Sequence, residues 1–286
     1  MTRRSTCLIP ILLSLILACS CTIDKSLHPG LAHVHTTWAA PSPSEMRPDS
    51  LLVVSYNIQF SANIEGALAD LHKIGLFKPD IMLLQEMAPD GVDTIAHALG
   101  LNAVYQPAAI HPHHQQLFGN AILTPWPIID HHIVVLPHPH PWSGQDRIAV
   151  ACDLDIAGQA VRAISLHFAT AVVAADQRLE QAAAVLDSLV SGWDGPVVIG
   201  GDFNTSTKPD IQNLRKLYRH QEGMLPVHLP SGCTVRWNIG RPLGAGCLLD
   251  HIFLRGLKAG RSGIGQEAVA SDHFPIWASL GWDLTP

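Results

Sequence analysis

Val197-Val198-Ile199-Gly200-Gly201-Asp202-Phe203-Asn204 is the stretch on which the reading of this chain turns. Three β-branched apolar residues read as a buried strand, and two glycines lead it into a polar turn. A carboxylate at the end of an apolar strand is costly unless it is paired, ligates metal or reaches solvent. The same arrangement recurs outward along the chain. Leu51 to Tyr56 is an apolar run followed by Asn57-Ile58, and Asp80 to Glu86 is a second run whose end carries Gln85-Glu86. Val161 to Phe168 contains His167, Leu248 to Leu254 contains Asp250-His251, and Ser271-Asp272-His273 precedes the strand Ile276 to Leu280. One polar strand end means little. Their recurrence along one chain points to a shared polar pocket held by a rigid sheet.

Between these segments the pattern predicts short strands over Asn120 to Leu123, Ile133 to Leu136 and Ile148 to Leu154. Helical spacing appears over Ile64 to Phe77 (Ile64, Leu68, Leu71, Ile74) and Asp176 to Val190 (Leu179, Ala182, Ala183, Leu186, Leu189), with a further helix over Asp210 to Tyr218. Strands mixed with helices, without strict alternation, predict α/β layers around packed sheets rather than a barrel. No internal repeat is visible.

The 286 residues suit one large domain or two small ones, and 47% hydrophobic residues can bury a substantial core. Charged residues are 15% and the formal net charge is -6, so the overall balance lacks the basic signature of a strong non-specific DNA binder. A local basic cluster can still hide within that balance.

The first residues read as a targeting segment. Arg3 and Arg4 precede an apolar stretch from Leu8 to Ala18, too short to span a membrane and right for a signal-peptide core. Ile16-Leu17-Ala18-Cys19 resembles a bacterial lipoprotein cleavage site, which makes residues 1–18 the signal peptide and Cys19 the lipidated first residue of an exported, membrane-anchored protein. The other reading is an ordinary signal peptide with Cys19 and Cys21 incidental. Residues 19–50, rich in Pro, Ser, His and Ala, read as anchor and flexible tether, and residues 51–286 as the globular domain that holds the polar segments. Export permits disulfides. Cys233 and Cys247 flank a Gly-rich segment and can pair, with buried free thiols as the alternative.

The order of the polar segments is specific: Asn57, Gln85-Glu86, Gly119-Asn120-Ala121-Ile122-Leu123, Leu166-His167, Gly201-Asp202-Phe203-Asn204, Asp250-His251-Ile252, then Ser271-Asp272-His273. Over roughly Leu51 to Leu280 it resembles the endonuclease/exonuclease/phosphatase (DNase I-like) superfamily, which includes nucleases, sphingomyelinases and inositol phosphate phosphatases. The resemblance implies an α/β fold, a four-layer α/β sandwich of two packed mixed β-sheets flanked by helices. It also implies roles. Glu86 becomes the main metal ligand, with Asn57 and Asp272 in support; such oxygen donors suit Mg²⁺, Mn²⁺ or Ca²⁺. Asp202 matches the carboxylate that orients or deprotonates water, and Asn204 holds it. His273 faces the phosphate, Asp250 fixes its tautomer, and His167 donates to a non-bridging oxygen. Asn120 supports the site.

Histidines 111, 113, 114, 131, 132, 138 and 140 lie in or beside Pro-rich loops and read as exposed loop residues rather than a metal site. Arg236 and Arg241, close to Trp237, are candidates for contact with a phosphate or sugar; the other arginines, Arg147 among them, look scattered. The expectation is a monomeric, lipid-anchored, Mg²⁺-dependent phosphodiesterase acting on nucleic acid, a phospholipid headgroup or a small phosphodiester. The alternative is an inactive, His-rich metal-binding lipoprotein on the same fold.

Overall fold

The computed structural model describes residues 34–36, 48–111, 115–170, 172–236 and 247–283. Cys7, Cys19, Cys21, His113, His114, Trp237 and Arg241 lie outside them.

In chain order the elements are β1 (Val34–Thr36), β2 (Ser50–Asn57), α1 (Ile64–Lys73), β3 (Ile81–Met87), α2 (Pro89–Leu99), β4 (Asn102–Ile110), β5 (Leu117–Thr124), β6 (Ile128–Val135), β7 (Ile148–Ile156), β8 (Gln159–His167), α3 (Ala175–Val185), β9 (Val197–Asp202), α4 (Lys208–Glu222), β10 (Leu225–Pro226), β11 (Asp250–Arg255), β12 (Leu257–Ile264) and β13 (Ile276–Trp282). They form a seven-stranded sheet, ordered β1-β4-β5-β3-β2-β13-β12, and a six-stranded sheet, ordered β10-β11-β9-β8-β7-β6. Both are mixed: β2–β3 and β8–β9 run parallel and the remaining pairs antiparallel.

Strand periodicity explains the layers. In β2, Leu51 and Val53 enter the core between the sheets, where they meet Val150, Cys152, Val198 and Ile252. Val54 and Tyr56, on the opposite face, pack with Leu71 and Ile95 of α1 and α2. The six-stranded sheet turns its other face to α3 and α4, through Ile164 and Ile199 against Ala182, Leu186 and Tyr218. Helices, sheet, sheet, helices: the four layers match the expected sandwich.

Several elements differ from expectation. The first helix ends at Lys73 rather than Phe77, because Gly75 turns left-handed at φ 76°. The third helix changes to a π-turn over Leu186–Val190. Strands β4, β10 and β12 carry no clear period, while α2, which buries Val92, Ile95 and Ala96 at helical spacing, was not foreseen. In β4, Pro107 sits where the register shifts; β12 is a polar edge strand, exposed from Lys258 to Arg261. Three residues of the segment read as a tether, Val34–Thr36, form β1 and pair with the open edge of β4. Cys233 and Cys247 are disulfide-bonded, and Cys152 is a buried free thiol.

Candidate active site

Register builds the site. In the six-stranded sheet, Asp202 at the end of β9 pairs with His167 of β8 on one side and Asp250 of β11 on the other. Three polar residues from three strands therefore stand in one row. Gly201 makes the row possible, since φ is 152° and a Cβ there would lie 2.0 Å from the Leu166 carbonyl oxygen. In the seven-stranded sheet, Asn57 pairs with Gln85, and the pairing of β3 with β5 slips between Leu84 and Met87. Glu86 falls in that bulge with φ 60°, so the irregularity re-aims its carboxylate.

The contacts among these groups cross from one sheet to the other. Asn57 Nδ2 donates to Glu86 Oε1 and to Asp202 Oδ2, both at 3.2 Å. Asp202 Oδ1 accepts the Asn204 N–H at 2.9 Å. His273 Nδ1 lies 2.9 Å from Asp250 Oδ2, and its Nε2 lies 3.6 Å from Asp202 Oδ2. His167 Nε2 is 3.5 Å from Asp202 Oδ2 and 3.9 Å from Glu86 Oε1. The Asn204 side chain donates to the Phe168 carbonyl, fixing the turn after Asp202.

Ser271 places the last segment. Its hydroxyl donates to the Asn57 carbonyl at 2.7 Å and accepts the His273 N–H at 3.1 Å. Asp70 of α1 accepts the N–H groups of Val269 and Ala270, so the same loop is pinned from the helix layer. Thr234 Oγ1 accepts from the Leu249 and Asp250 amides, beside the disulfide. Asp272 is half-buried, and its carboxylate lies 3.4 Å from the Ser271 hydroxyl.

Burial at this density perturbs the ionisable groups. The His273 imidazole is opposed by burial, but Asp250 and Asp202 outweigh that and raise its proton affinity well above the ordinary value. Burial pushes the Asp202 carboxyl up, while His273 pulls it down. Burial also raises Glu86, with Asp272 adding and His273 and Arg147 opposing. His167 shifts the other way: burial, Arg147 and His273 hold it neutral, and its Nδ1 has no partner.

The structure thus brings together Asn57, Glu86, His167, Asp202, Asn204, Asp250, Asp272 and His273. Asn120 stands behind them, donating to the Ile148 carbonyl across the sheets. Gln85 does likewise: it donates to Ser165 Oγ, a structural tie rather than a site group. Arg236 is not free for a phosphate. Its guanidinium is held by the carbonyls of Ser271 and Ala268 and stacks on Phe274. His132 meets Asp153 and His138 meets Glu180, each away from the row. Among the described residues no group of three or more His, Cys, Asp and Glu side chains is arranged to hold a metal. What the site offers is Glu86 and Asp272, with the amide of Asn57 beside Glu86.

Arg147 is the residue that sequence reasoning passed over. It is 6% exposed, lies over the Phe118 ring at 5.3 Å, and acts electrostatically on Glu86, Asp202 and His167. Its Nε and Nη1 are buried with no hydrogen-bond partner. Arg147 stands immediately before the apolar strand from Ile148, whereas Asn57, Glu86, His167 and Asp202 close their strands, so the strand-end signal did not mark it.

A family model described as the endonuclease/exonuclease/phosphatase family matches residues 54–273. Among curated proteins, the UPF0294 protein of Vibrio parahaemolyticus is 27% identical over 123 residues, 43% of this chain and 41% of that protein. The chain thus matches less than half the length of that relative. Among solved structures, an endonuclease/exonuclease/phosphatase from Beutenbergia cavernae aligns with TM-score 0.67 and 18% identity, covering 82% of this chain and 72% of its own. D. rerio TDP2 complexed with a single-strand DNA product gives TM-score 0.64 and 18% identity, with 82% and 100% coverage. The mannosyl-6-phosphatase of Bacteroides thetaiotaomicron gives 0.62 and 19%, again with 82% and 100% coverage. At these identities the likeness is one of fold.

Proposed function

The chain belongs to the endonuclease/exonuclease/phosphatase family of phosphoester hydrolases, and on that premise we propose that it is a divalent-metal-dependent phosphodiesterase. The observation that carries the reading is the row His167–Asp202–Asp250, with His273 seated between the two aspartates. It places a buried carboxylate and a charged imidazole side by side, the pair needed to activate water and to meet phosphate charge.

Asp202 is the group that takes the proton of the attacking water. Both its oxygens are held, one by the Asn204 amide and one by Asn57, so the carboxylate is oriented before substrate arrives. His273, kept protonated by Asp250, donates from Nε2 to a phosphate oxygen. His167 stays neutral and donates from Nε2 to a second one. Arg147 brings two guanidinium nitrogens, Nε and Nη1, that have no partner among the described residues, and a phosphate is the anion that would satisfy them.

A divalent cation fits the remaining groups. Burial and Asp272 both disfavour the charged form of Glu86, which accepts a hydrogen bond from Asn57. A cation held by Glu86 and Asp272 would reverse that penalty, and carboxylate oxygens favour Mg²⁺, with Mn²⁺ or Ca²⁺ as substitutes; Asn57 turns Nδ2 to Glu86 and Oδ1 to the Gln59 amide, so it orients Glu86 rather than adding an oxygen. When bound, the cation would supply Lewis-acid neutralisation of the phosphate. The inactive, metal-sequestering alternative is disfavoured because every group of the row is present and in contact.

Hydrolysis of bis-p-nitrophenyl phosphate by the purified protein, with Mg²⁺ or Mn²⁺ and then EDTA, tests the proposal. Activity lost with EDTA and with His273→Ala is expected; undiminished turnover in both sinks it. Plasmid DNA, RNA, sphingomyelin and inositol phosphates in the same assay resolve the substrate. The structural neighbours include a protein in complex with a DNA product and a mannosyl-6-phosphatase, so both diesters and monoesters belong in the panel. We also assign the protein to the cell envelope, anchored through Cys19. Labelling by radioactive palmitate that survives Cys19→Ala unchanged would remove that assignment.

A further inference from the structure

Asp250 and His273 touch, yet no strand pairing brings them together. Asp250 opens β11 of the six-stranded sheet, and His273 lies in the loop before β13 of the seven-stranded sheet. A short segment, Cys233 to Arg236, runs between the two and is bonded to both. Cys233 is bridged to Cys247, three residues before Asp250. Thr234 is wholly buried, and its N–H donates to the Cys247 carbonyl at 2.8 Å. Its hydroxyl oxygen accepts the N–H groups of Leu249 at 2.9 Å and Asp250 at 3.2 Å, and the hydroxyl donates to the Cys247 carbonyl at 3.3 Å. A buried hydroxyl needs one partner to avoid a penalty; this one has three, all at the end of β11 that carries Asp250. Two consecutive amides turned onto one oxygen fix the peptide plane before Asp250, and with it the direction in which the carboxylate leaves the strand.

The other side of the same segment grips the His273 loop. The Thr234 carbonyl accepts the Phe274 N–H at 2.7 Å, and Val235 forms an antiparallel bridge with His273. The Arg236 N–H donates to the Asp272 carbonyl at 2.7 Å. Its guanidinium donates to the carbonyls of Ser271 and Ala268 and covers the Phe274 ring. The loop from Ala268 to Phe274 is thus held along its length by residues 234–236. Thr234 reaches both partners of the ion pair: its side chain bonds the Asp250 amide, and its main chain bonds the residue after His273.

We propose that Thr234 is a positioning residue for the reaction and that the Cys233–Cys247 disulfide is its anchor, the two together setting the contact between Asp250 and His273. This rests on the reading of that pair as part of the reacting centre. Thr234 touches no substrate and acts through its neighbours. Without the disulfide one end of the splint is free, while the Arg236 end stays on the loop. Asp250 and His273 then lose their common support, and a misplacement of about 1 Å in such a contact lowers turnover by about 10²-fold.

Variants of the full chain separate positioning from packing. Thr234→Val keeps the shape and removes the acceptor; Thr234→Ser keeps the acceptor and removes a methyl; C233A/C247A removes the anchor. On bis-p-nitrophenyl phosphate, kcat is expected to fall by about 10²-fold in Thr234→Val and about tenfold in C233A/C247A, with KM within about twofold and Thr234→Ser within about threefold of wild type. Proton NMR gives a second readout that needs no turnover. An imidazole Nδ1 proton held by a carboxylate resonates downfield of the backbone amides, and its loss in His273→Ala identifies it. The signal is expected in wild type and Thr234→Ser, and is expected to be lost or moved upfield in Thr234→Val and C233A/C247A. Wild-type kcat in Thr234→Val, or equal losses in Thr234→Val and Thr234→Ser, overturns the proposal. So does a wild type without the signal, or a signal unchanged in Thr234→Val. If Thr234→Val does not fold, C233A/C247A carries both readouts. An inactive wild type, or His273→Ala as active as wild type, defeats the catalytic reading instead, and the NMR comparison still decides whether Thr234 positions the pair.

Discussion

At one end of the two sheets the ionisable groups are buried and face one another; at the other they are exposed and unpaired. Asp202, Asp250, Glu86, His167 and His273 hold each other within hydrogen-bond or ion-pair distance, almost wholly out of water. Lys216 and Arg219 stand in solvent and form no ion pair among the described residues. Charge in the first setting is costly to fold and strong when used, because a low dielectric and fixed partners leave little screening. Charge in the second costs folding almost nothing and acts weakly, in sum, on large external anions. Substitutions at the two ends should therefore differ sharply in effect.

The largest effect is expected from Asp202→Asn, which keeps shape and removes the base. Its kcat on a phosphodiester should fall by about 10³-fold, the scale of a lost general base. A kcat within tenfold of wild type would show that the buried row is not the reacting centre. Arg147→Met should cost about 10²-fold in kcat/KM, with the far-ultraviolet dichroism unchanged, and Arg147→Lys should recover only part, since a point charge cannot supply two fixed N–H groups. Equal loss in both variants would point to a packing role on Phe118 instead.

His251 sharpens the comparison through stability. It neighbours Asp250 in sequence, yet burial drives its proton affinity down to about 4, with Asp250 opposing and Arg215 assisting. The unfolded chain binds that proton near 6.5. Stability from the neutral ring is thus complete above pH 6.5 and is lost as pH falls towards 4, by at most about 3 kcal/mol. Denaturant melts of His251→Gln across that window should show a slope shallower by that amount; parallel slopes would contradict it. The smallest effect belongs to the exposed end: K216E/R219E should hydrolyse a soluble diester within about twofold of wild type, as surface changes usually do.

The strands that end in site residues were legible because buried strands are apolar runs and a polar residue at their end has few inexpensive explanations. That logic located His167, Asp202 and Asp250 without their register. The register itself was not legible, since pairing is a relation between distant segments. Neither was the bulge that turns Glu86, because a left-handed glutamate has no compositional mark. Arg147 was read as one of many scattered arginines; its distinction is burial, which the sequence does not display. Ser271, read only as part of a tripeptide, proves to be the strut between Asn57 and His273. The paired cysteines resolve two readings that spacing left open.

Contacts of the candidate row join one sheet to the other, Asn57 to Asp202 and His167 to Glu86, and His273 closes on Asp250 from the loop before β13. Neither sheet alone holds a working half. A state that keeps its strands and helices but loosens the packing between the sheets, as proteins adopt under mild acid or denaturant, would retain its secondary structure and have no centre at all. In this molecule turnover is a gauge of tertiary docking, and under increasing denaturant it should vanish before the circular dichroism of the sheets begins to change.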